Sequence, residues 1–169
     1  MRTRVNFVMI LSALCILGIG SPAWSQAEKK QQQPGFPDLV GGLKKTPGCL
    51  GVETARTPSG KQVIFAWFED KKAVMKWYRS EMHQKLMKDS FPDRSYSKPL
   101  KDIPENSGPI MAIASITFSN KPQLKETDLP ISQIALELYQ PMSGGIHLGG
   151  RFAPEALKVP NMQDYSPKK

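Results

Sequence analysis

Apolar and polar positions along the chain alternate between two periods. Gln62 to Phe68 is apolar on both sides of a strand, with Val63, Phe65 and Trp67 on one face and Ile64, Ala66 and Phe68 on the other; such a strand needs cover on both sides. Leu50 to Thr57 alternates Leu50, Val52 and Thr54 with Gly51, Glu53 and Ala55, and Pro58-Ser59-Gly60 separates the two runs. Two strands around a Pro/Gly turn predict a hairpin. Asp70 to Lys88 changes period: Val74, Trp77, Tyr78, Met82 and Leu86 recur three and four residues apart, which predicts an amphipathic helix packed on a sheet, with Asp70 as its N-cap. A short helix is expected over Pro37–Lys45, ended by Thr46-Pro47-Gly48. Ile110–Phe118 and Ile131–Tyr139 are two further strands. In the first, Ile110, Ala112, Ala114, Ile116 and Phe118 share a face. In the second, Ile134, Leu136 and Leu138 oppose Gln133, Glu137 and Tyr139. Phe91 to Pro109 holds four prolines and no period, the pattern of a long loop over a site.

The order helix, hairpin, helix, strand, strand supplies the parts of a ferredoxin-like α+β domain: a four-stranded antiparallel sheet with two helices on one face. The opening strand of that fold would come from the C-terminal side, a permuted arrangement.

The N-terminus changes the picture of where the chain works. Arg2 and Arg4 precede an apolar run, Phe7 to Ile19; Gly20-Ser21-Pro22 ends it, and Ala23-Trp24-Ser25 offers small residues before a cut at Gln26. That order is read as a secretory signal peptide, and the run is short of the roughly 20 residues that span a bilayer. The expected organisation is a signal peptide over 1–25, a polar spacer over 26–34, one α+β domain over 35–160 and a flexible tail over 161–169. The protein is expected outside the cytoplasm, periplasmic or extracellular, with no membrane span after cleavage.

Loss of Arg2 and Arg4 lowers the formal charge from +8 to +6. The lysines and arginines are scattered without interleaved aromatics, so no nucleic-acid partner is expected. Cys49 is the one cysteine beyond residue 25, so neither an internal disulfide nor a cysteine zinc site forms there, and no metal is expected.

The stretch Pro47 to Lys88 resembles the antibiotic-biosynthesis-monooxygenase-like family of dimeric α/β barrels. The residues that carry the likeness are Pro47, Gly48, Trp67, Glu69, Trp77, Ser80 and His83. The resemblance implies a homodimer in which the sheet of one subunit faces that of another. It also implies a choice of activities, among them cofactor-free oxygenation of electron-rich aromatics and haem degradation. Haem-degrading members place an axial histidine about one helical turn beyond the position of His83, where this chain has Leu86 and Met87, so no cofactor is expected.

Candidate chemistry follows from residue type. His83 is the candidate general base, since imidazole titrates near neutral pH; the plainer reading is a helix-face histidine tied to a backbone carbonyl. Glu53 and Glu137 stand on otherwise apolar strands, as desolvated proton-transfer groups in a barrel lumen or as solvated carboxylates. Trp67, Trp77, Tyr78 and Tyr139 are candidate walls for a small apolar or aromatic ligand, or core. His147 and Arg151 flank glycines whose amides could hold an anion, or which form a plain turn. Two functions stay open: a cofactor-independent monooxygenase acting on a small aromatic compound, or a non-enzymatic binding module for a small apolar ligand or an envelope partner.

Overall fold

In the computed structural model, the described residues are 38–92 and 99–167. The expected signal peptide and spacer lie outside them. The elements are α1 (Leu39–Lys44), β1 (Cys49–Arg56), β2 (Gln62–Phe68), α2 (Lys71–Tyr78), α3 (Glu81–Ser90), β3 (Ile110–Phe118), β4 (Ile131–Tyr139), and the short β5 (Ile146–His147) and β6 (Gln163–Asp164).

The predicted hairpin forms. Gly60 adopts φ 86°, which glycine reaches without a Cβ clash, and its N–H donates to Thr57 O at 2.9 Å. The single helix expected over Asp70–Lys88 is two. Asp70 caps α2 by accepting from Ala73 N at 2.8 Å. Ser80 then leaves helical geometry (φ −63°, ψ 148°), and its hydroxyl accepts from His83 N at 3.2 Å, starting α3 afresh. A serine side chain competes with the backbone for these N–H groups, so it caps better than it continues a helix.

Four strands form one sheet in the order β1-β2-β3-β4, every neighbour antiparallel. A ferredoxin-like domain runs β-α-β-β-α-β; moving its first strand to the end gives the order seen here, α1-β1-β2-α2/α3-β3-β4. The chain adopts the expected α+β ferredoxin-like arrangement, a four-stranded antiparallel sheet with helices, but β2 and β3 pair directly, where a permuted ferredoxin-like sheet would set β4 between them. β2 leaves the sheet at Phe68 and β3 re-enters at Ile110, its direct partner, so residues 69–109 begin and end at the same end of the two central strands.

Cross-strand partners share a face, and the two faces differ. Val52, Ala66, Ala112 and Leu138 form one row, and Phe68 and Ile110 lie beside it. This face packs under the helices, where Leu43, Val52, Ala66, Phe68, Ala73, Val74 and Ile110 make the core. Phe68 is 1% exposed; burying such a side chain stabilises by about 1.5–3 kcal/mol. Gly48 lets the chain enter β1 close to α2: it has φ 86°, and a Cβ there would sit 2.6 Å from Ala73 Cβ. The helices stop short of the far end of this face. Ile134 and Leu136, on the apolar side of β4, are 44% and 69% exposed.

The opposite face carries Gly51, Trp67, Met111 and Tyr139 in one row and Glu53, Phe65, Ile113 and Glu137 in the next. The chain itself covers part of it. Phe152 packs edge-on to Phe65 and Trp67 with ring centroids 5.0 and 5.2 Å away, and a Cβ on Gly51 would strike Pro154. Arg151 holds this segment together by donating to the carbonyls of Pro154, Glu155 and Leu157. His147 Nδ1 lies 3.4 Å from Asp164 Oδ1, where β5 and β6 pair in parallel. Arg151 is thus tied within the chain, and His147 lies beside Asp164 without a hydrogen bond to its buried Nδ1. Gln163–Asp164, inside the stretch expected as a flexible tail, forms β6.

The proline-rich 91–109 segment contributes to the core: Leu100 and Ile103 pack against it, and Ser107 O accepts from Gln140 Nε2. No helix among the described residues is long and apolar enough to cross a membrane.

Candidate functional site

The break between α2 and α3 sets the position of His83. Capping by Ser80 places His83 in the first turn of α3, and its Nδ1 reaches Tyr78 O at 3.0 Å. A carbonyl oxygen only accepts, so Nδ1 carries the proton and Nε2 holds the lone pair. The imidazole stands against two rings: Trp77, edge-on at 5.5 Å, and Tyr78, tilted at 5.1 Å. Gln84 Nε2 donates to the same Tyr78 carbonyl at 2.5 Å, which fixes this acceptor from a second side. α1 closes over the group: a Cβ on Gly42 would meet both Met82 Sδ and the Trp77 ring. Burial pushes the His83 pKa below 6.5, with the bond to Tyr78 O acting the other way. The ring is therefore neutral at pH 7, with a basic nitrogen at Nε2.

The remaining expected site residues lie elsewhere. Trp67, Glu53, Glu137 and Tyr139 all belong to the sheet face away from the helices, while Trp77, Tyr78 and His83 sit on the helix side. One pocket lined by both tryptophans, His83 and a carboxylate is therefore not formed within the described chain. Glu53 and Glu137 end one row, three strand spacings apart, about 14 Å. Both are exposed in the single chain, on the sheet's outer strands β1 and β4. Tyr139 donates to Glu137 Oε2 at 2.5 Å, and this bond, with the carboxylate's charge, raises the phenol's pKa above 10.0.

The sheet-side group gains a member that sequence reasoning missed. Phe152 completes an aromatic trio with Phe65 and Trp67. Its only local signal is an isolated aromatic between a glycine pair and Pro154.

Cys49 is half-buried and its Sγ donates to Gly51 O at 3.6 Å. Burial raises its pKa above 9.0, so it is a protonated packing residue rather than a thiolate nucleophile. No three His, Cys, Asp or Glu side chains converge as a metal site among the described residues. One turn past His83 stand Leu86 and Met87, so α3 offers no second imidazole.

The family model described as antibiotic biosynthesis monooxygenase matches residues 27–89, a little over a third of the chain. The match takes in α1 through α3, with Trp77, Ser80 and His83, as the resemblance over 47–88 led one to expect. It ends before β3, β4 and the C-terminal segment. No curated protein and no solved structure matches the chain.

Proposed function

Taking the antibiotic biosynthesis monooxygenase match as premise, we propose that the chain is an exported, cofactor-independent oxygenase of a small aromatic compound, with His83 as its general base. One observation carries this reading. The His83 ring is held between Trp77 and Tyr78, with Nδ1–H tied to a carbonyl and Nε2 left as the base. Aromatic edges suit a flat ring, and a base kept neutral by burial takes a proton at pH 7.

The chemistry balances without an added reductant. From an anthrone-type CH₂ group, Nε2 accepts one proton. The carbanion passes an electron to dioxygen, and the radical pair couples to a peroxide. Loss of the second C–H proton with O–O cleavage leaves a ketone and water. One oxygen atom stays on carbon, the other leaves as water, and all four electrons come from the two C–H bonds. General-base assistance is worth ~10²–10⁴-fold. The test is turnover of a panel of anthrones and hydroquinones under oxygen, with His83→Ala expected to lose about that factor while circular dichroism shows an intact fold. No turnover by the wild type, or equal turnover by both, removes His83 from this role.

Export rests on the charge, apolar run and small-residue cut at residues 2–25. N-terminal sequencing of protein from its source should begin at Gln26; a chain beginning at Met1 would end that part of the reading.

Assembly as a homodimer belongs to the same proposal. Domains of this family commonly dimerise. β4 is an outer strand exposed on both faces, with Ile134 and Leu136 on one and Tyr139 on the other, and the Phe152 segment leaves it uncovered. Sedimentation at micromolar concentration should show a dimer that Leu136→Lys dissociates; a wild-type monomer refutes it.

A second reading has its own observation. The trio Phe65, Trp67 and Phe152 beside the Tyr139–Glu137 pair offers an apolar surface with one polar end, the make-up of a non-catalytic site for a small apolar ligand. Native mass spectrometry of protein from its source would show such a ligand retained, released by Phe152→Ala; unliganded wild-type protein counts against it.

A further inference from the structure

The outer side of α2 bears a feature that neither reading uses. Ala73, Val74 and Trp77 face the core. Helical periodicity turns Lys72, Met75, Lys76 and Arg79 the opposite way, and there they line a cavity of about 420 Å³ with Lys71, Pro99 and Glu105. That volume falls within the range of small-molecule sites, about 300–1,000 Å³.

Its charge is one-sided. Lys71 is 8% exposed. Its Nζ donates to Ile103 O at 2.7 Å and to Glu105 Oε1 at 2.6 Å, leaving one ammonium proton of three. Glu105 is the only acid in the lining and is committed to Lys71. Lys72, Lys76 and Arg79 have no acidic partner among the described residues, whereas Lys85 on α3 is paired with Asp89. α2 itself contains no acid. Like charges four apart on a helix repel, and here Lys72 and Lys76 stand so, one turn before Arg79. Lys72, Lys76 and Arg79 are exposed, and three uncompensated cations around one concavity raise the local concentration of anions. Met75 and Pro99 give the same cavity apolar wall.

We propose that this cavity binds a small organic anion of high charge density, a phosphate monoester with an apolar body. Arg79 offers the planar fork that matches phosphate oxygens, the lysines act as point charges, and Met75 and Pro99 cover the apolar part. The site is separate from His83 and does not depend on the oxygenase reading.

Isothermal titration of the full chain with phenyl phosphate, inorganic phosphate and phenol tests it. Phenyl phosphate should bind one per chain, at least about tenfold tighter than inorganic phosphate, with phenol showing no saturable binding. The double variant Lys76→Gln/Arg79→Gln should weaken phenyl phosphate at least about tenfold, with an unchanged melting temperature to show that folding is intact. Raising salt from about 50 to 500 mM should weaken it further in the wild type than in the variant. Absence of binding at millimolar phenyl phosphate, equal binding of inorganic phosphate, or affinity unchanged in the double variant would each overturn the proposal. Benzoate binding as tightly as phenyl phosphate would overturn the phosphate assignment.

Discussion

His83 Nδ1 lies 3.0 Å from the carbonyl oxygen of Tyr78, five residues back across the break between two helices. The bond bridges the end of α2 and the start of α3, and it decides both the tautomer and the direction of the imidazole.

Burial lowers the His83 pKa below 6.5 in the folded state. The folded protein therefore resists taking a proton that the unfolded chain accepts readily. The contribution is fully present above pH 6.5 and is lost as pH falls through 6.5 toward the folded-state value, below which it levels off. Denaturant unfolding at pH 8 and pH 5 should show the wild type losing more stability than His83→Gln. NMR titration should give a midpoint for His83 below 6.5; a midpoint above it contradicts the assignment.

Ser80→Ala removes the cap of α3. A lost N-cap costs about 0.5–2 kcal/mol, and alanine at this position also favours one continuous helix. A fused helix pulls Tyr78 O away from His83. The expected result is a lower unfolding midpoint together with a His83 titration shifted from its wild-type position. Ser80→Asp keeps a capping oxygen and should restore both.

Phe152→Ala strips the edge-on partner from Trp67, which is 4% exposed. Aromatic pairs contribute about 0.5–1.5 kcal/mol each beyond their burial, and Phe152 makes two. A stability loss of about 1–3 kcal/mol and a red-shifted tryptophan emission should follow. Unchanged fluorescence would show that the segment does not cover Trp67 in solution.

Two glycines separate backbone strain from soft packing. Gly48→Ala places a methyl group at φ 86° and 2.6 Å from Ala73 Cβ; overpacking of this kind costs about 1–3 kcal/mol. At Gly42 the atoms in the way belong to the Met82 and Trp77 side chains, and methionine adapts readily. Gly48→Ala should therefore lower the unfolding midpoint more than Gly42→Ala.

Much of the sheet was legible because its strands alternate cleanly and its turn carries glycine. The hairpin, β3, β4 and the order of the elements are all readable from period and punctuation. The assembly of the site was not. Gln62–Phe68 is apolar on both sides, so its alternation separates Trp67 from Phe68 without saying which side the helices take. Trp67 turned out to face Phe152, and Trp77 the core. The break at Ser80 had a signal, a good capping residue within an apolar stripe, but the stripe runs through it because Met82 and Leu86 keep the three- and four-residue spacing. Residues 141–167 have almost no period, since two-residue strands and an arginine holding three carbonyls leave none. The basic lining of the cavity lies within residues 71–79, but its concavity forms only when α2 is wound and Pro99 and Glu105 return to it.

The pairing of Phe68 with Ile110 also bears on how fast the sheet can assemble. β1 and β2 are joined by a short turn, so their association closes a small ring. β2 and β3 meet only after the chain from 69 to 109 has been gathered in, and closing a ring of that length costs about 3 kcal/mol in chain entropy. On this argument the first hairpin is expected to form early, and the seam between β2 and β3 after the helices collapse onto Phe68. Folding kinetics should show this as a polarised barrier, with substitutions at Ile110 or Ala112 chiefly accelerating unfolding and those at Val52 or Ala66 slowing folding; the opposite pattern would place the seam first.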